Sequence, residues 1–169
     1  MLFLANQSLA VSHLVISQAY GGSGTAGSPY EDDFVELFNP TASAISIAGW
    51  SIQIASSVSP TWQTTSLPSV SIPAGGYFLI QLDQGGTQGV PIPTADAFGT
   101  TNVGGNTMKI ALVNNMTSLS GNGCPIGSVV DFLGFGSTDC WEGSGSAPLL
   151  TSSTAAIRLS NGCTDTDNN

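Results

Sequence analysis

Few residues in this 169-residue chain are of types that do chemistry, and they are widely spaced. The one histidine, His13, lies between Ser12 and Leu14 in a run that reads as a β-strand. A Ser-His-acid relay needs that imidazole in a cleft beside a nucleophile and a carboxylate. No G-x-S-x-G elbow accompanies it, and the GGSG at Gly21–Gly24 reads as a turn. His13 is therefore read as a strand residue. Glu31, Asp32, Asp33, Glu36 and Glu142 could supply the paired carboxylates of a glycosidase, but a solvated acidic loop is the simpler reading. Asp165-x-Asp167-Asn168-Asn169 places hard oxygen donors at alternate positions, as calcium loops do. Asp165, Asp167 and Asn169 are thus candidate calcium ligands. The glycine and bidentate glutamate of an EF-hand are missing, and an exposed acidic turn is the competing reading.

Cys124 and Cys140 sit in turn-rich sequence, GNGCPIG and STDCWEG. A bridge between them would close a loop of about 16 residues and contribute roughly 3 kcal/mol. Cys163 is left over, either as a free thiol or as an intermolecular link. No C-x-x-C or Cys/His spacing marks a zinc or redox site. Tyr30, Trp62 and Trp141 fall in or near loops and could form a stacking face for surface glycans, whereas Trp50 reads as core.

Lys and Arg total 2 against 11 Asp and Glu, giving a formal net charge of −9. Two cations cannot neutralise a run of phosphates, so electrostatic binding to nucleic acid is excluded, as is a polybasic attachment to lipid. No apolar stretch reaches the ~18–20 residues that span a bilayer. With 41% apolar residues and only 8% charged, the chain is a folded one kept soluble by hydroxyls and amides. That economy of charge suits an extracellular protein or a contact-rich assembly, where charged side chains are costly to desolvate.

The elements that must position these residues are strands. Short apolar runs rich in Val, Ile, Leu and Phe alternate with Gly, Pro, Ser, Thr and Asn clusters, and helical periodicity is nearly absent. Strands are expected over 13–20, 33–39, 45–55, 61–65, 77–82, 108–114, 129–134 and 155–159. Ile45-Ser-Ile47 and Trp50-Ser-Ile52-Gln-Ile54 alternate apolar and polar faces, with Gly49 as a bulge or corner between them. Pro73-Ala-Gly75-Gly76 reverses the chain before Tyr77. Residues 84–106 contain no good strand and read as a long packed or functional loop.

Taken in order, HLVISQAYGGSG, DFVELFNPTASAISIAGWSIQ, IPAGGYFLIQL, KIALVN and VVDFLGFG resemble the successive blocks of a lamin tail domain. CPIGSVVDFLGFG, CWEGSGSAP and GCTDTDNN resemble its bacterial extracellular branch. The resemblance covers residues 12–169 and implies an all-β, immunoglobulin-like sandwich of about 8 strands. Phe34, Leu37, Ile47, Trp50, Ile52 and Ile54 would supply its facing layers. In that branch the domain often accompanies a nuclease or other hydrolase. A fold does not by itself imply an activity.

Residues 1–11 read as a signal remnant or an N-terminal arm. Leu2, Phe3, Leu4, Leu9 and Val11 make the arm apolar, and it carries no charge. Such an arm can pair along the edge of a neighbouring sheet, and Lys109 and Arg158 are the only cations available to blunt such edges. The expectation is a secreted, non-enzymatic subunit that assembles with copies of itself. The alternative is an accessory module, calcium-dependent or sugar-binding, of a secreted hydrolase or nuclease system.

Overall fold

The computed structural model describes residues 11–125 and 127–167. Among these residues eleven strands follow one another: β1 (Val15–Tyr20), β2 (Asp32–Phe38), β3 (Ile45–Ser46), β4 (Ser51–Ser56), β5 (Gln63–Ser66), β6 (Ser71–Ile72), β7 (Tyr77–Gln84), β8 (Ala97–Phe98), β9 (Met108–Val113), β10 (Val129–Phe135) and β11 (Ala156–Ile157). One helical turn, α1 (Leu159–Gly162), follows them. The main sheets run β11-β1-β2-β7-β8 and β10-β9-β4-β5, and β3-β6 forms a separate ribbon. All pairings are antiparallel except β7 with β8.

The sheets face each other across one apolar core. Ile16, Ala19, Val35, Leu37 and Ile80 from one sheet meet Ile52, Ile54, Ile110, Leu112 and Phe135 from the other, as in an aligned sandwich. Alternation along these strands explains the packing, because every second side chain reaches the same face.

The polar face of β4 is covered as well. Ser51 and Gln53, expected at the surface, are fully buried. The segment after β9 folds over them: Gln53 Nε2 donates to Thr117 O at 3.0 Å, and Leu119 N donates to Gln53 Oε1 at 2.7 Å. Ser51 Oγ donates to Asn115 O at 2.7 Å. A second apolar cluster on that outer side comprises Ala55, Trp62, Ala111, Val113, Phe132 and Cys140.

The strand expected over 45–55 is two strands. Gly49 has φ +78°, a left-handed conformation that favours glycine, and the corner it makes sends β3 to β6 instead of β9. Residues 84–106 are a packed loop that also contributes β8. Asp96 accepts from Leu79 N at 2.8 Å beside β7, and Val103 is fully buried. At the far end Gly134 lets the chain pass closely, since a Cβ there would stand 2.1 Å from the Cys140 carbonyl oxygen.

Candidate functional site

Both cations are interior. Lys109 lies on β9, a central strand, fully buried. Its Nζ donates to Asp139 Oδ1 at 2.7 Å and stands 5.3 Å from the Trp62 ring centroid, a cation–π arrangement. Asp139 also accepts from Gly123 N at 2.8 Å. Burial raises the Asp139 pKa, but these partners outweigh it and hold the carboxyl below its ordinary value. The Cys124–Cys140 disulfide, with Cα atoms 4.8 Å apart, closes the same region.

Arg158 sits between β11 and α1, its guanidinium turned inward. Nη2 donates to Asp131 Oδ1 at 2.7 Å and to Glu142 Oε2 at 3.2 Å; Nη1 donates to Asp165 Oδ1 at 2.8 Å; Nε donates to Ile16 O at 3.0 Å. Asp131, from β10, also accepts from the backbone N–H groups of Ile16 and Phe132. One guanidinium thus ties β1, β10 and the C-terminal segment together. Burial opposes its charge, and the Asp131, Asp165 and Glu142 carboxylates outweigh that and raise its pKa. Burial pushes the Asp131 carboxyl up against the pull of Arg158. Glu142 is pushed up to about 7, first by burial and then by Asp131.

His13 precedes β1 instead of lying within it, and its ring reaches the C-terminal segment. Nε2 is 3.8 Å from Asp167 Oδ1. Ligand atoms of His13, Asp165 and Asp167 lie within 4.8 Å of one another. Asn169, the third expected calcium ligand, lies outside the described residues. Sequence reasoning missed His13 because its partners are at the opposite end of the chain.

The other acids hold structure. Asp32 accepts from Gln81 Nε2 at 2.8 Å, and Glu36 accepts from Ser17 Oγ at 2.6 Å. Asp33 accepts from Ser23 N at 3.2 Å and Val103 N at 3.0 Å, and burial raises its pKa. Asp32 and Asp33 are buried, which corrects their reading as a solvated loop. The aromatic stacking face is corrected too. Trp62 is buried against Phe132, and Tyr30 packs edge-on to Tyr20 and Phe34, leaving only Trp141 of the three well exposed. Cys163 is half-buried, and its thiol shares a hydrogen bond with the Tyr77 hydroxyl at 2.8 Å.

A groove of about 560 Å³ runs beside β1 and β11. Leu133, Pro148, Leu149, Leu150, Ile157 and Leu159 contribute to its wall. Leu149, Ile157 and Leu159 are 60%, 58% and 78% exposed, so apolar surface stands open to solvent on edge strand β11 and on the segments either side of it. Of the expected arm, Val11 is half-buried, and Leu2, Phe3, Leu4 and Leu9 lie outside the described residues. Among the described residues no helix is long and apolar enough to cross a membrane.

No curated protein matches the chain. The sequence profile of the lamin tail domain matches residues 7–137, most of both sheets, and ends before the C-terminal segment that holds Arg158 and Asp165. With an immunoglobulin-like β-sandwich behind that match, the chain belongs to the lamin tail domain family.

Proposed function

We propose that this chain is a non-enzymatic, extracellular structural subunit of the family's bacterial extracellular branch, and that it assembles with copies of itself. The apolar groove beside edge strand β11 carries this reading. Its occupant is the segment Met1–Ala10 of a second copy, docked as an added strand. That segment is uncharged and rich in Leu and Phe, and ten extended residues reach about 33 Å, enough to line the groove. Strand addition gives affinity through the main chain and specificity through alternate side-chain pockets. With Lys109 and Arg158 both engaged inside, neither cation is left to blunt the sheet edges. The disulfide suits an oxidising compartment. Against catalysis, Asp32, Asp33, Glu36 and Glu142 each serve a structural hydrogen bond or ion pair.

Electron microscopy and sedimentation of the purified chain test the proposal. Oligomers or filaments are expected, and removal of Met1–Ala10 should leave a folded monomer. A monodisperse monomer from the full chain contradicts it, whether the groove is empty or filled by the chain's own arm.

A further inference from the structure

We propose that His13, Asp165 and Asp167 form a binding site for a divalent transition-metal cation, of which zinc is the type the donor set fits. The inference is independent of the assembly reading and rests on three features of the site. The first is the imidazole. His13 Nδ1 lies 3.0 Å from Leu14 O, a group that can only accept. In neutral imidazole the proton therefore resides on Nδ1, and the Nε2 lone pair faces Asp167. A ring nitrogen donating to a backbone carbonyl while the other presents its lone pair is the arrangement metal-binding histidines use.

The second is Asp165. Its side chain is fully buried, and Oδ1 already accepts from Arg158 Nη1 at 2.8 Å and from Asp167 N at 3.0 Å. Oδ2 is buried with no hydrogen-bond partner. A carboxylate oxygen shut away from water without a donor is costly, and a cation held by the same carboxylate offsets part of that cost.

The third is charge. One guanidinium faces Asp131, Glu142 and Asp165, and Asp167 adds a fourth carboxylate. The surplus is negative, and a divalent cation offsets it.

The donor types select the cation. Zinc with bonds of about 2.0–2.1 Å keeps tetrahedral ligand atoms about 3.3 Å apart. The 3.8 Å between His13 Nε2 and Asp167 Oδ1 closes to that with a small turn of the exposed Asp167 side chain. Calcium takes six to eight oxygens and has little use for an imidazole. Asp165 and Asp167 are shared with the calcium set read from the sequence, and His13 is the added donor. A metal here joins the segment that leads into β1 to the C-terminal segment.

The test uses the full chain, stripped with chelator. Isothermal titration with zinc should show one site per chain, and cobalt(II) should give visible d–d absorption bands characteristic of a nitrogen-containing site. His13→Ala and Asp167→Asn, both at partly exposed positions outside the Arg158 ion pairs, should each weaken zinc binding about tenfold or more. His13→Ala should also change the cobalt spectrum. Millimolar calcium should not compete. Absence of zinc binding, zinc affinity unchanged by His13→Ala, or calcium displacing zinc at equal concentration overturns the assignment. Zinc titration of Ile157→Glu, which alters the groove wall and none of the three ligands, separates this result from the assembly reading: zinc affinity should be unchanged whether or not the variant assembles.

Discussion

The two cations of this chain make two different uses of one device. Lys109 is matched by a single carboxylate, Asp139, lies over Trp62, and is closed in by a disulfide. Arg158 is surrounded by three carboxylates, with a fourth and an imidazole next to Asp165. The first region is balanced in charge and serves packing. The second holds more negative charge than it neutralises and borders an open apolar groove. A residue of the same sign thus marks a closed flank in one region of the sandwich and a flank with open apolar surface in the other.

Breaking the Arg158 region should have the largest effect. Arg158→Ala leaves Asp131 buried without its counter-ion, and removal of one partner from a buried pair costs about 3–5 kcal/mol. Urea denaturation should show a loss of that size, or a chain that does not fold. On the closed flank, Cys124→Ser with Cys140→Ser should cost about 3 kcal/mol by freeing a loop of 16 residues in the unfolded chain.

Glu142 sharpens the contrast through pH. Its folded pKa of about 7 lies above the ordinary 4.5. Between those values the folded chain keeps a proton that the unfolded chain gives up. Its contribution to stability is therefore full below about pH 4.5 and is lost as the pH rises through 7. With solvent screening reducing the effect at this partly exposed group, a decline of about 1 kcal/mol is expected between pH 5 and pH 8. Melting of Glu142→Gln across that range should be flatter. Lys109→Met should have the smallest effect, about 1 kcal/mol, because the apolar stem still packs on Trp62 and Asp139 can turn to water. A cost equal to that of Arg158→Ala would remove the distinction between the flanks.

The strands and the core were legible in the sequence because period-2 alternation is a local signal. Ile52, Ile54, Leu37 and Phe34 are buried as their spacing indicates. The two-residue strands β6 and β8 were not, since so short a segment carries no periodicity and is defined by its partner. Trp62 looked like a loop aromatic because the outer layer that buries it comes from residues far along the chain, Phe132 and Cys140. The Arg158 contacts were invisible for the same reason: its ion pair with Asp131 spans 27 positions and its hydrogen bond to the Ile16 carbonyl spans 142. A hint was present in the composition: with two cations among eleven acids, carboxylates outnumber the partners available to them.

Sedimentation velocity of the wild-type chain, Ile157→Glu and Val58→Glu tests the open flank most directly. Ile157 lines the groove on β11, whereas Val58, also exposed, follows β4 beside the segment that bears Asp139. Oligomers are expected from the wild-type chain and from Val58→Glu, and monomers from Ile157→Glu. Three identical monomer profiles, or oligomers that survive Ile157→Glu, would contradict the account.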